Sequence, residues 1–502
     1  MLHHIFRKPS VVQTGQPTYW LTRFFILRLL GIVYGVAFLV AINQVIPLIG
    51  ANGLTPVNNF VKLATITLGS AGACFIRLPS IFWFTHTDAA LLTVAWAGLV
   101  LSLVVVAGFA NAIIMFVLWA LHMSFVNIGQ EWYGYGWEIQ LLETGFLAIF
   151  LCPMVDARPF PKREPPVAII NLFRWLIFRI MLGAGLIKLR GDDVWRNYTA
   201  LYYHFETQPM PGPLSRWFHF LPHGVLRFGV WYNWLAELAA PLFVFWPRIG
   251  RHVAGCIIIF LQVILIASGN LSFLNWLTIV PALACFDDGF YAKFLPKALV
   301  RKATAAVVEA VPSKPMRTTA WVVTVAIIYL SIQPMANMLS PNQVMNTSFD
   351  PLDLVNTYGA FGSVGKQRMN IVFEGTYDDT ANANAHWVAY PYKGLPAALD
   401  KQPSQIAPYH LRFDWQMWFA SMGTPDQYPW VYTLVAKLLH NDAGAISLFA
   451  ANPFARKPPR FVRAVLYRYS FVTPGNAGHL YWNRQQLGYW LPAIGLSERP
   501  KQ

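Results

Sequence analysis

Residues 171–195 read NLFRWLIFRIMLGAGLIKLRGDDVW, and this stretch decides the fold. The run from 167 to 189 is apolar apart from a few charges. It is long enough for a helix to cross the roughly 30 Å hydrocarbon core of a bilayer. Arg174 and Arg179 lie inside it, and Lys188 closes it. Gly183 and Gly185 thin its last turns, so a second backbone can approach closely. An ionisable side chain inside a span is costly and usually faces other helices, where it finds a partner. Each of these charges therefore requires a reason.

Outward from this stretch, similar apolar runs fall at 25–49, 89–108, 112–129, 139–155, 228–247, 252–268, 270–286 and 319–337. With 167–189 they predict a polytopic α-helical membrane bundle of about nine spans. The segment 60–84 is interrupted by Arg77 and Pro79 and reads as re-entrant or interfacial. Composition agrees: 56% of the 502 residues are hydrophobic and only 12% charged, against roughly a quarter charged in soluble domains. The net charge of +15 does not point to nucleic acid, because lysine and arginine sit between apolar runs, where they set membrane orientation.

Those charges orient the chain. Arg7, Lys8 and Arg23 precede the first run. Arg158, Lys162 and Arg163 follow the fourth, Arg248 and Arg251 separate the sixth and seventh, and Lys293, Lys297, Arg301, Lys302, Lys314 and Arg317 separate the last two. Nine spans place all of them on the cytoplasmic side. Residues 1–337 then form the transmembrane domain. The loops 50–88 and 190–227 face outward with an extracytoplasmic domain, 338–502.

That second domain reads as compact, α+β and β-rich. RMNIVFEGTYDD and HWVAYPYK, followed later by RFVRAVLYRYSF, have strand patterning, while PWVYTLVAKLLH has helical spacing. The cysteines Cys74, Cys152, Cys256 and Cys285 lie in or beside apolar runs without a CxxC pair or a His/Cys cluster. No zinc site, other metal or cofactor is expected.

Four intramembrane charges stand out as a polar cluster: Glu143, Arg174, Arg179 and Glu237. They read either as interhelical ion pairs or as the lining of a polar cavity open to the outside. Lys188 reads as a snorkelling lysine, or as a partly desolvated base or anion anchor. With His204 and Glu206 from the aromatic loop ALYYHFETQPMPGPLSRW it forms a candidate catalytic set. Trp415, Trp418, Phe419 and Trp430 are either the core of the outer domain or a surface for apolar client patches. No GxSxG, HExxH, P-loop or GxGxxG motif stands out.

The ordered motifs YWLTRFFILRLLGIVYGVAFL, GANGLTP, WEIQLLETGFLAIFLCP, FRIMLGAGLIKL, WRNYTALYYHFETQPMPGPLSRW and SGNLSFLNWLTIVPALACFDD resemble those of the lipase maturation factor family. NTYGAFGSV, IVFEGTYDD, RFDWQMWFA and NPFARKPPRFVRAVLYRYSF continue the resemblance through the tail. It implies an integral membrane maturation factor that assists folding or assembly of secreted lipases, with the C-terminal domain engaging the client and membrane lipid around the bundle. The ending LSERPKQ carries no endoplasmic-reticulum retention signal. With the compact length, it raises the expectation of a bacterial inner-membrane protein with its tail in the periplasm, or of an endoplasmic-reticulum protein if the source is eukaryotic. The membrane part is also distantly similar to the transmembrane domain of vitamin K-dependent γ-carboxylases. Gly185, Lys188, Leu189 and Trp195 fit that outline, although RGDDVW is longer between leucine and tryptophan. This second resemblance implies an alternative, a membrane enzyme acting on a lipid or quinone at an outward-facing cavity.

Overall fold

The structure is a computed structural model describing residues 17–382, 384–475 and 478–496. Arg7, Lys8 and the ending after Leu496 lie outside the described residues. All nine predicted apolar runs contain helix. We label them α1 (Trp20–Ile49), α2 (Asp88–Ala107), α3 (Ala112–Ile128), α4 (Gly136–Leu151), α5 (Val167–Arg190), α6 (His223–Trp234), α7 (Arg248–Ser268), α8 (Leu274–Ala282) and α9 (Lys314–Leu330).

α1 and α2 run in opposite directions, as do α3 and α4. Gly50 after α1 meets Asp88 of α2, while Gly31 meets Val105. Ala112 at the start of α3 donates to the Pro153 carbonyl just beyond the end of α4 (2.9 Å). Gly98 lets α2 press onto the Phe38 ring of α1, since a Cβ there would overlap it. This is the close small-residue contact by which helices associate without a hydrophobic driving force in lipid.

Helix length and apolarity bear out the count of nine spans only in part. Among the described residues five helices are long and apolar enough to cross a membrane: Trp20–Ile49, Asp88–Ala107, Val167–Arg190, Arg248–Ser268 and Lys314–Leu339. A sixth is added if Val57–Leu68 and Ala71–Arg77, bent by 95°, count as one span. That bent pair is the segment expected to be re-entrant or interfacial. The other four predicted spans are shorter. α3 and α4 have 17 and 16 residues. α6 passes into a π-helix at Leu235–Ala239 and a 3-10 turn at Ala240–Phe243, and α8 stops near Pro281. Hydropathy counts apolar side chains and is blind to such breaks, because π and proline-limited turns interrupt the ladder without making the run less apolar.

The basic loops gather at one end. Asp287 pairs with Arg248 (2.7 Å) and Arg251 (2.8 Å). Asp288 accepts the Trp20 and Leu21 amides (3.0 and 2.7 Å) and the Thr18 hydroxyl (2.7 Å), so it caps α1. Arg23 donates to the Arg163 carbonyl (2.8 Å).

The C-terminal residues occupy the other end. β1 (Arg368–Thr376), β2 (Val388–Ala389), β3 (Phe461–Phe471) and β4 (Trp482–Gly495) form an antiparallel sheet ordered β2-β1-β3-β4. The first three strands and the helix Trp430–Leu439 fall where the sequence predicts them. β4 was not predicted. As an edge strand it exposes five consecutive residues, Asn483–Leu487, so the alternation that signals a half-buried strand is missing.

The tail is not a separate bead. Tyr358, Phe413 and Trp415 share one continuous buried core with Tyr34 and Phe173 of the helices.

Candidate functional site

Where α5 ends, its glycines set the geometry. Gly183 leaves room for the Tyr358 carbonyl, and Gly185 for Leu238 and Glu237. The tail segment 356–362 and the π turn can therefore press against the last turns of α5. In that turn Lys188 is buried at 5% exposure. It does not snorkel. Its ammonium pairs with Glu237 and donates to Asn233 Oδ1 (3.3 Å), while Asn233 Nδ2 donates to Glu237 Oε2 (3.0 Å). The ammonium also lies 4.9 Å from the Trp195 ring centroid, a cation–π distance. The Trp195 indole N–H is held by the Phe361 carbonyl (2.8 Å). Lys188 and Trp195 are thus two sides of one buried contact.

Lys188, Glu237, Asn233 and Trp195 line a cavity of about 820 Å³. It lies between α4, α5, α6, α7 and α8, with the helix α10 (Arg412–Ala420) over one side. His204 also lines it. Burial, and then the nearby Lys188 charge, lower the His204 pKa to about 4, so its imidazole is neutral at physiological pH. Glu206 is turned away. Its Oε2 accepts the Phe471 amide (2.7 Å) and lies 3.8 Å from His219 Nε2. Burial pushes the Glu206 carboxyl up, opposed by the Phe471 amide and by Arg368. The structure thus brings Lys188 and His204 to one cavity and leaves Glu206 outside its lining.

The four intramembrane charges also separate. Arg179 pairs with Glu143, donates to the Asn356 carbonyl (2.8 Å), and sits with Tyr358, whose hydroxyl donates to Glu143 (2.7 Å). Glu237 belongs to Lys188. Arg174 meets no carboxylate among the described residues. It donates to the Ala284 carbonyl (2.8 Å), Asn171 (2.7 Å) and the Tyr19 hydroxyl (3.0 Å), near the basic end. A single four-membered cluster is therefore corrected to two separate ion pairs and one carbonyl-bound arginine. Residues of one helix rise about 1.5 Å each along its axis, which is enough to place Arg174, Arg179 and Lys188 of α5 at different depths.

Of the aromatics, Trp415 and Trp430 are buried at 4% each. Trp430 packs on Trp132 with centroids 5.0 Å apart. Trp415, Trp418 and Phe419 line the cavity, and Trp418 and Phe419 are half-buried. The four therefore do not form one exposed patch.

Sequence reading missed a second buried acid. Glu138 of α4 pairs with Arg412 (2.8 Å) and lies 3.3 Å from His122 and 3.9 Å from His410. Arg412 also donates to the Trp132 carbonyl (2.6 Å) and covers the Tyr133 ring at 3.5 Å. The available signal was a second glutamate in GWEIQLLETG, on the same helix as Glu143. No group of three metal-ligating side chains occurs among the described residues.

Residues 21–293 match the family described as lipase maturation factor transmembrane domain, and residues 354–492 match the lipase maturation factor C-terminal domain. Lipase maturation factor 1 of Bos taurus is 43% identical over 98% of this chain and 91% of its own length. The Mus musculus protein of the same name is 44% identical over 98% and 89%.

The chain belongs to the lipase maturation factor family.

Lipase maturation factor 2 of Homo sapiens is more distant, at 27% identity over 93% of this chain and 81% of its own. No solved structure matches. The two family regions meet physically at the paired acids. Glu138 and Glu143 lie in the transmembrane region, and Arg412, Asn356 and Tyr358 lie in the C-terminal one. These relatives are vertebrate proteins, so nothing in them supports the bacterial inner-membrane expectation.

Proposed function

We propose that the chain is an integral membrane maturation factor for secreted lipases, placed in the endoplasmic-reticulum membrane with its sheet in the lumen. The carrying observation is the near full-length likeness to proteins named lipase maturation factor 1, with both family regions present in order. In this reading the nine helical legs all cross the bilayer, the basic end is cytosolic, and residues 338–502 form the client-facing domain. The clustering of arginines at one end and the sheet at the other supports that orientation.

Client contact falls on β4. It is a long edge strand paired only with β3 among the described residues, and it exposes Leu487 and Tyr489. Its free backbone groups fit the addition of a strand from an incompletely assembled client. Trp418 and Phe419 serve as cavity wall rather than as the primary client surface. The lipid- or quinone-directed enzyme reading lacks the third group of its expected set, because Glu206 is committed to the Phe471 amide.

The test uses cells that lack lipase maturation activity. Expression of the full chain restores secreted lipase activity if the reading holds. No restoration at normal abundance of the chain overturns it. A Leu487→Lys/Tyr489→Lys double variant restores little activity at unchanged abundance. Full restoration by that variant removes β4 as the contact while leaving the maturation role standing.

A further inference from the structure

The cavity at the end of α5 has a volume within the roughly 300–1,000 Å³ of small-molecule sites. Most of its walls are apolar, including Ile180, Leu261, Ile264 and Leu265. Two of its lining residues are also exposed on the outside of the bundle: Phe228 of α6 at 60% and Phe260 of α7 at 56%. On helices in a bilayer, that exposed apolar face meets lipid tails. The cavity is thus bordered by side chains that also touch the hydrocarbon.

Its polar chemistry is one-sided. Among the polar groups inside it, Gln140 donates to the Thr278 hydroxyl (3.1 Å) and Asn275 donates to Gln262 (2.9 Å). Lys188 is neutralised by Glu237. Arg190 is different. It lines the same cavity, and among the described residues its guanidinium donates only to neutral oxygens, the Met338 carbonyl (2.8 Å) and Gln343 (2.6 Å). It pairs with no described carboxylate. An arginine offers five donors in a planar fork, and this one uses a single nitrogen. The cavity therefore combines an apolar interior, an edge on the hydrocarbon and one uncompensated cation near the end of α5.

We propose that this cavity is a lipid site that takes an acyl chain with an oxyanion headgroup, entering between Phe228 and Phe260, with the headgroup at Arg190. The chain replaces lipid contacts with Ile180, Leu261 and Leu265, and the guanidinium supplies a bidentate, charge-assisted contact to a carboxylate or phosphate. The proposal goes beyond lipase maturation and does not depend on it. A fatty acid and a glycerophospholipid share this chemistry, so the experiment separates them.

The full chain is purified into nanodiscs and exposed to two photoreactive probes, a diazirine fatty acid and a diazirine phosphatidylserine, each with and without its unlabelled counterpart. Cross-linked peptides are mapped by mass spectrometry. Saturable labelling is expected in 225–232 and 260–265. The fatty acid probe labels there if the occupant is a free acid, and the phosphatidylserine probe if it is a phospholipid. Ala184→Trp fills the cavity from α5 and lowers this labelling by roughly tenfold. Arg190→Gln keeps the volume and lowers it to a similar extent, while labelling by an uncharged diazirine diacylglycerol, which has no oxyanion, is unaffected by that change. Each variant is compared at a thermal midpoint matching the parent, and Arg190→Gln alone decides if Ala184→Trp does not fold. Labelling that does not saturate, or that spreads evenly onto the outer face of α2 around Trp96 and ignores Arg190→Gln, overturns the proposal.

Discussion

Arg179 and Lys188 share helix α5. Both are buried, and each faces a glutamate across a helix contact. Their surroundings differ. At Arg179 the space is filled: Glu143 also accepts the Asn356 amide (3.1 Å) and the Tyr358 hydroxyl (2.7 Å), both from the tail. At Lys188 one side of the pair is a cavity wall. The first pair is a clamp that joins the bundle to the C-terminal residues, and Glu138 with Arg412 is a second such clamp. The second pair neutralises a charge beside empty volume. The comparison shows that two ion pairs of equal burial can have different mechanical meaning, set by whether the carboxylate's other bonds reach the tail, as at Glu143, or stay with Asn233 on the neighbouring turn, as at Glu237.

The largest expected effect is at the clamps. Arg179→Met leaves Glu143 buried without its cation and costs about 3–5 kcal/mol, as does Arg412→Met at Glu138. Denaturation of the full chain in detergent reads this as a lowered midpoint, with the sheet released as well as the helices. A loss at Arg179 no greater than that at Lys188 would erase the distinction. Removal of residues 338–502 has a related consequence. It strands Glu138 and strips Glu143 of its Asn356 and Tyr358 bonds while leaving it Arg179, so the remaining helices are destabilised even though every apolar run is retained.

A smaller loss is expected at the cavity. Glu237→Gln keeps the bond with Asn233 and lets Lys188 face a space that water can reach, at a cost of about 1–3 kcal/mol. The same thermal measurement ranks it below Arg179→Met.

The smallest effect concerns pH and lies in the tail. Asp414 accepts the Gly394 and Leu395 amides (2.7 and 3.0 Å), yet burial dominates and raises its pKa to about 6. A carboxyl raised in the folded state contributes stability that is complete below its unfolded pKa of about 3.9 and is lost as pH rises through about 6. The parent chain should therefore gain midpoint relative to Asp414→Asn on going from pH 7 to pH 5. His204 works in the opposite direction, since its pKa of about 4 removes stability as pH falls below 6.5. The difference between parent and Asp414→Asn isolates the aspartate, and equal slopes would contradict its assignment.

Much of the architecture was legible along the chain. The apolar runs mark all nine helical legs, and the basic loops mark one end, because both signals are local: hydropathy and charge act on each segment before any contact forms. Span lengths were less legible, since the π turn before Pro241 and the stop at Pro281 are backbone events inside apolar sequence. β4 escaped because an edge strand exposes its side chains to water and loses the two-residue rhythm.

The site was half legible. Lys188, Glu237, Arg179 and Glu143 could be singled out because a charge in an apolar run is conspicuous, but their partners could not be assigned. Arg412 was invisible for the opposite reason: in a polar tail one arginine looks like any other, and only the fold carries it to Glu138.

By itself the amino-acid order determined that this protein is helical, membrane-embedded, basic at one end and followed by a mixed α+β tail, and its motifs determined the family resemblance. Tertiary structure alone decided that the tail is locked into the bundle by two buried acids, that Lys188 is paired rather than snorkelling, and that a cavity opens beside it. The reason is physical. Periodicity and hydropathy are properties of single segments, whereas ion pairing and empty volume depend on how distant segments meet, and here those partners lie from 36 residues apart (Glu143 and Arg179) to 274 apart (412 − 138).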